Sequence, residues 1–282
     1  MNVGIINTAL LSIRKEPRGD SELVDEDFYG RTVEIMSVFH NGWCEIKTEY
    51  QYSGCVLMSC LILDPDLISH WDKGVKMVVL QPCADVLTIP KVRGDCLLTL
   101  FKGAVVNVLS KEDENGWVLM DLCDGREGYI KGNFLGEYMT NISGLREEYV
   151  RRELVNSAYS YLGVQYRWGG KSPLGIDCSG LTFMAYYLNG ITIYRDADIK
   201  EGFAMKEINR NNMGLGDLIY FPGHVAMYIG RGKYIHSTAK NGSDGVVINS
   251  FNPRDKDYRE DLANSIKMVG SIFCTSNSKS FI

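Results

Sequence analysis

Through its first half the chain alternates apolar and polar residues in short runs broken by Gly, Asn and Asp, a pattern that predicts strands. Cys44-Glu45-Ile46-Lys47 and Val118-Leu119-Met120-Asp121 are two such runs, each preceded by Asn-Gly-Trp, at 41–43 and 115–117. They belong to an internal repeat with an offset of about 74 residues. Gly54, Val56 and Leu61 match Gly128, Ile130 and Leu135, and Phe28-Tyr29-Gly30 lies over Phe101-Lys102-Gly103. Val33 and Ile35 likewise match Val106 and Val108. Arg18-Gly19-Asp20 and Arg93-Gly94-Asp95 read as matching turns, because Gly and Asp supply turn geometry. Each copy predicts a small antiparallel barrel. Two copies are too few for a stacked solenoid.

From Leu145 the period changes. Tyr149, Val150, Leu154, Val155, Ala158, Tyr161 and Leu162 recur at helical spacing, which predicts a helix of about 17 residues closed by Gly163. A Gly-rich loop follows from Tyr166 to Pro173. Gly175-Ile176-Asp177-Cys178-Ser179-Gly180-Leu181 then leads into a second, apolar helix that Asn189-Gly190 closes. Further on, residues 221–228 and 233–236 read as strands joined around Gly230-Arg231-Gly232.

Composition narrows the class. At 282 residues, 45% hydrophobic and 23% charged, the chain is an ordinary globular one of about two domains, with one or three as alternatives. It has no run of 18 apolar residues, so no membrane partner is expected. Val3 to Ile13 is apolar, but Arg14 and Lys15 follow the run where a signal peptide carries charge ahead of it, so it reads as strand. A net charge of −5 disfavours nucleic acid. The eight cysteines (Cys44, Cys55, Cys60, Cys83, Cys96, Cys123, Cys178, Cys274) contain no CxxC pair, which leaves zinc ribbons and redox motifs unsupported. Their sparseness fits buried thiols in a reducing compartment, and a cytoplasmic location is expected, or a secreted or cell-envelope one if a leader has been removed.

Cys178 differs from the rest. At the first turn of a helix, free N–H groups and the positive end of the dipole face its sulfur. Lowering a thiol pKa from about 8.5 to about 6 needs roughly 3.4 kcal/mol, whereas a helix terminus supplies about 0.3–2 kcal/mol. An imidazolium is expected to supply the difference. Of the four histidines, His224 and His236 lie in the two adjacent strand segments, where antiparallel pairing sets their rings side by side. His224 would then take the thiol proton and return it to a leaving amine, and His236 would fix the ring of His224. A metal site from the same three residues has no common zinc spacing.

Residues 166–273 resemble the NlpC family of cell-wall cysteine peptidases, a circularly rearranged papain-like fold. The pieces are Tyr-x-Trp-Gly-Gly (166–170), Gly-Ile-Asp-Cys-Ser-Gly-Leu (175–181), Gly-Asp-Leu-Ile-Tyr-Phe (216–221), His-Val-Ala-Met-Tyr-Ile-Gly (224–230) and Tyr-Ile-His (234–236), in the family's order. The resemblance implies Cys178 as nucleophile, His224 as base, His236 as third member, and Tyr166 against the nucleophile near the oxyanion. The implied fold class is α+β: two bacterial SH3-like barrels (1–72 and 73–140) ahead of a papain-like catalytic domain (141–282).

That layout is similar to γ-D-glutamyl-L-diamino acid endopeptidases, which recycle murein peptides. In that subgroup the first barrel closes one end of the cleft and recognises a free N-terminal L-alanine. The implied substrate-binding residues are Glu22, Tyr52, Tyr166, Asp177, Ser179, Arg195 and Asp196. Carboxylates of Glu22 and Asp196 would bind the charged α-ammonium. Intact wall, with that nitrogen acylated by muramic acid, would leave them unpaired at about 1–3 kcal/mol. Tyr194, Lys200, Arg167 and Arg126 depart from the family pattern and bear on substrate detail. The expected partner is a murein peptide, with a monomeric chain and no cofactor or metal. Two other classes are an amidase or acyltransferase acting on intact peptidoglycan or lipid, and a non-catalytic wall-binding protein.

Overall fold

Alternating runs in the first half become two antiparallel sheets of seven strands with the same order. The structure, a computed structural model, describes residues 3–273, so Cys274 lies outside the described residues. The first sheet comprises β1 (Val3–Ile6), β2 (Leu10–Arg14), β3 (Leu23–Phe28), β4 (Thr32–Val38), β5 (Trp43–Thr48), β6 (Ser53–Leu57) and β7 (Leu61–Ile62). After helix α1 (Pro65–Asp72) come β8 (Val75–Val79), β9 (Cys83–Leu87), β10 (Cys96–Phe101), β11 (Val105–Val108), β12 (Trp117–Asp121), β13 (Glu127–Lys131) and β14 (Leu135–Glu137). Strand order is β3-β2-β6-β5-β4-β1-β7 in one and β10-β9-β13-β12-β11-β8-β14 in the other, so every strand has its counterpart.

The matched glycines explain themselves. Gly42 and Gly116 turn with φ of 80° and 74°, which a side chain resists. A Cβ on Gly54 would meet Ile13 at 2.5 Å, and one on Gly128 would meet Val86 at 2.4 Å, so neighbouring strands cross too closely for anything larger. Inside the first barrel Ile6, Leu11, Ile13, Val33, Cys44, Ile46 and Val56 form the core.

The chain divides into two units. One holds the chain through Tyr138 together with Arg167–Ile176, and the other holds Met139–Tyr166 and the chain from Asp177 onward. The Gly-rich segment, read from sequence as part of the third domain, therefore groups with the barrels. There it forms a hairpin of β15 (Lys171–Ser172) and β16 (Gly175–Ile176). Its anchor is Lys171, whose ammonium is 0% exposed and lies 3.5 Å from both Asp25 and Asp27. Lys171 Nζ also donates to the Tyr50 hydroxyl at 2.5 Å, and that hydroxyl donates to Asp25 at 2.5 Å. Glu26 accepts from the Lys171 peptide N–H at 3.1 Å and pairs with Arg167 at 3.4 Å. Strand β3 thus buries three consecutive acids, and burial raises Glu26 and Asp27 above the usual carboxylate range against the pull of these cations.

In the second unit α2 (Glu147–Tyr159) packs on α3 (Cys178–Tyr187). Helix α2 is shorter than its apolar period predicts. Past Tyr159 the chain closes in tight turns, and Gly163, at φ 83°, donates to the Val246 carbonyl at 3.0 Å. A six-stranded antiparallel sheet follows: β17 (Lys206–Ile208), β18 (Leu218–Phe221), β19 (His224–Gly230), β20 (Lys233–Thr238), β21 (Gly245–Ser250) and, after α4 (Glu260–Ala263), β22 (Met268–Ser271). Its order is β17-β22-β18-β19-β20-β21. Helix α3 is apolar nearly all round and lies against β19 and β20 with Leu181, Phe183, Met184, Ala185 and Tyr186 fully buried. Each large side chain there contributes about 1.5–3 kcal/mol of burial, and together they fix the helix start against the sheet.

The α+β class read from the sequence is the class observed. Lys171→Met removes the cation that neutralises Asp25 and Asp27 while keeping its volume. We expect a loss of about 3–5 kcal/mol, because two carboxylates remain buried without it. Urea unfolding of the full chain measures this, and a loss below about 1 kcal/mol would contradict the role given to Lys171.

Candidate active site

Cys178 is the first residue of α3, and Asp177 is its N-cap. The cap carboxylate accepts from the Gly180 peptide N–H at 2.6 Å and from the Ser179 hydroxyl at 3.1 Å. Arg195 completes the brace: its guanidinium donates to both oxygens of Asp177 at 3.2 Å and to Ser179 Oγ at 2.8 Å. Arg195 is 1% exposed, and these donors go to the helix start. Asp177 and Ser179 are buried with it.

Peptide N–H groups of Ser179 and Val225 point at the Cys178 sulfur. Val225 follows His224, so the start of β19 meets the start of α3 at the thiol. The Tyr166 phenol is close enough to feel that sulfur. Burial, then the charges of Cys178 and Asp177, push it up to about 12.

Antiparallel pairing of β19 with β20 brings the two histidines together, as the sequence predicts. His224 Nε2 lies 2.7 Å from His236 Nδ1, with ring centroids 5.0 Å apart and planes at 79°. The chain continues to a residue the sequence reading missed. His236 Nε2 lies 2.8 Å from Asn249 Oδ1 on β21, and Asn249 Nδ2 donates to the Asp257 carbonyl at 2.7 Å. The only available signal was a polar residue interrupting the apolar run Val246-Val247-Ile248. That signal names no partner.

Electrostatics depart from the expectation of an imidazolium beside a thiolate. Burial pushes the Cys178 thiol up to about 11, with Asp177 adding to it and the two peptide N–H groups and Arg195 opposing. Burial, then His236, then Arg259 push His224 down to about 3. Burial pushes His236 down to about 4, against the hydrogen bond to Asn249. Desolvation therefore outweighs the helix terminus, and thiol and imidazoles are all driven to their neutral forms.

The remaining predicted residues stand as follows. Asp196 follows Arg195 in the second unit and accepts from the Tyr194 hydroxyl. Glu22 belongs to the first unit, where it accepts from Trp168 Nε1 at 3.0 Å and Lys15 Nζ at 3.3 Å. Tyr52 is in the same unit, its hydroxyl 3.4 Å from the Val24 carbonyl. Gly216 and Asp217, part of the motif at 216–221, serve the fold: Asp217 takes Arg151 at 2.9 Å and the Gly214 N–H at 2.7 Å. Among the described residues no three His, Cys, Asp or Glu side chains are grouped to hold a metal ion.

Residues 163–259 match the model of the NlpC/P60 family. Over 271 residues the chain is 40% identical to dipeptidyl-peptidase 6 of Lysinibacillus sphaericus, covering 95% of this chain and 99% of that one. It is 41% identical over 105 residues to γ-D-glutamyl-L-lysine dipeptidyl-peptidase of Bacillus cereus, covering 34% of this chain and 31% of that protein. A crystal structure of an NlpC/P60 family protein from Bacillus cereus superposes with a TM-score of 0.78 over 95% of this chain and 98% of that one. At 20% identity that likeness is one of fold.

A thiol held protonated by burial reacts with iodoacetamide only as pH rises. We expect alkylation of Cys178 in the free protein, followed by peptide mass spectrometry, to be slow at pH 6 and to climb through pH 9–10. A rate already at its plateau near pH 5 would reveal a thiolate–imidazolium pair and contradict the neutral site.

Proposed function

The chain belongs to the NlpC/P60 family, and from that premise we propose that it is a γ-D-glutamyl-L-diamino acid peptidase of murein peptides with a free N-terminal L-alanine. Membership makes it a cysteine peptidase acting on cell-wall peptides. The finer reading rests on one observation above all: a cysteine at a helix start, with the two-histidine chain of β19 and β20 beginning one residue from the peptide N–H that faces its sulfur. Two relatives named dipeptidyl-peptidases, one specified for γ-D-glutamyl-L-lysine, support a cut after the second residue from a free amine.

In this reading Cys178 is the nucleophile and His224 the base. His224 takes the thiol proton as sulfur attacks the γ-carbonyl carbon of D-glutamate. The tetrahedral oxyanion faces the positive helix start and the Tyr166 hydroxyl. It collapses, the C–N bond breaks, and His224 returns the proton to the departing amine of the diamino acid. Water then attacks the thioester, its proton passes through His224 to sulfur, and L-Ala-D-Glu leaves with the thiol restored.

The free amine is the second part of the proposal. An α-ammonium is mostly charged at neutral pH. Asp196, on the unit that also carries Cys178, is assigned to its recognition.

Incubation with L-Ala-γ-D-Glu-L-Lys should release L-Ala-D-Glu by mass spectrometry, and Cys178→Ser should abolish it. Acetylating the substrate amine should lower kcat/KM by about 5- to 150-fold, the equivalent of 1–3 kcal/mol. Equal rates on both substrates, or on intact peptidoglycan, would refute the free-amine requirement. A base whose protonated form is disfavoured stays unprotonated to lower pH. The acid limb of kcat/KM for the free enzyme should therefore fall well below the ordinary imidazole value of about 6.5. A limb at 6.5 or above would contradict the depressed basicity of the two rings.

A further inference from the structure

We propose that Asn249 is a positioning residue that sets the direction of the proton chain, so that His224 enters the reaction with Nδ1 as its one basic atom. The proposal rests on the reading of His224 as base and deepens it.

The argument starts at a backbone carbonyl. Asp257 C=O can only accept, and it lies 2.7 Å from the Asn249 side-chain amide, so the NH2 end must face it. Oδ1 is thereby turned to His236, at 2.8 Å from Nε2. An amide oxygen carries no proton, so His236 Nε2 is the donor. His236 is 0% exposed and driven to its neutral form, and it carries one ring proton. Its Nδ1 is then an acceptor, and the contact at 2.7 Å requires His224 Nε2–H to donate. A neutral His224 that carries its proton on Nε2 has its lone pair on Nδ1. One amide orientation, fixed by one carbonyl, thus settles three proton positions in sequence.

The Asp257 carbonyl that orients the amide is itself held. It also accepts from the Ser250 N–H at 3.0 Å, and the Asp257 carboxylate pairs with Lys233 at 3.0 Å. Ser250 Oγ and Asn252 Nδ2 donate to Asp255 at 2.7 and 3.0 Å, which closes the turn behind β21. Charges near the two rings come from Arg259, which disfavours both imidazolium forms, and Asp261, which opposes it across an ion pair of 2.7 Å. The aromatic neighbours are Tyr234 beside His236 and Phe221 beside His224. Among the described residues no carboxylate is hydrogen-bonded to either ring, and the proton order of the pair follows from the Asn249 amide.

Aspartate at this position would replace a neutral acceptor by a charged one. It would favour the protonated histidine pair, so the base would fill with protons at higher pH.

The test uses the full chain and two variants. In Asn249→Asp the acid limb of kcat/KM should move up by a pH unit or more. In Asn249→Leu, which keeps the bulk and removes the acceptor, kcat should fall by roughly 10²-fold or more with KM little changed, the pattern of a base held in the wrong tautomer. Nitrogen-15 NMR of histidine-labelled protein should show His224 and His236 as Nε2–H tautomers in the wild type and a mixture in Asn249→Leu. A wild-type His224 protonated on Nδ1, or an acid limb unmoved in Asn249→Asp, overturns the proposal. The NMR result needs no turnover. It separates failure of this inference from failure of the substrate reading, and it stands even where Asn249→Leu does not fold.

Discussion

Burial of one thiol and one imidazole, with a second imidazole half-buried against the first, is the constraint on which this site depends. The apolar face of α3 against β19 and β20 creates it, and everything polar nearby answers to it. Asp177, Ser179 and Arg195 cap the helix without exposing charge. The histidines hydrogen-bond to each other and to an amide where many enzymes use a carboxylate. A charged acceptor would have stabilised an imidazolium that the surroundings otherwise disfavour. The arrangement instead holds every proton in place at no net charge until a substrate arrives.

The same constraint explains why the electrostatic argument from sequence met its limit. Position at a helix start is legible, because Asp-Cys-Ser-Gly before an apolar run is a capped N-terminus. Degree of burial is not. A helix-terminus contribution of about 0.3–2 kcal/mol lowers a thiol in water, but desolvation acts with the opposite sign and depends on chain segments distant in sequence. For Cys178 those are the start of β19 and the Arg195 brace. Pairing of His224 with His236 was readable for the opposite reason. It needs only two strands and a short turn, all within 13 residues.

Asn249 shows the next grade of difficulty. It lies on the strand after His236 in the ladder, yet its role depends on a carbonyl at Asp257 in an irregular turn. No period or spacing encodes a carbonyl direction. Arg195 was found by resemblance, and its contacts with Asp177 and Ser179 were not legible for a related reason. The motif placed it near the nucleophile, and only the structure shows that it braces the N-cap.

The barrels contain their own control experiment. Their strands correspond one to one, and Phe28 matches Phe101, so Asp25-Glu26-Asp27 of β3 falls on Leu98-Thr99-Leu100 of β10. The second copy is an ordinary strand with Leu100 in its core, and the first has three buried acids at the same positions. Fold alone does not require them, since the same fold forms without them a few dozen residues later. Their partners come from one segment: Lys171, 146 residues from Asp25 along the chain, faces Asp25 and Asp27, and Arg167 pairs with Glu26. A buried carboxylate without a cation is among the costliest groups a barrel can hold. Divergence of one repeat toward acid at an inward strand therefore implies a basic side chain delivered from elsewhere. Comparing the copies position by position, and asking which one breaks the apolar rule, points to a docking site for the segment bounded by Tyr166 and Asp177. Of all the features missed from sequence, this was the one for which the sequence held a usable sign.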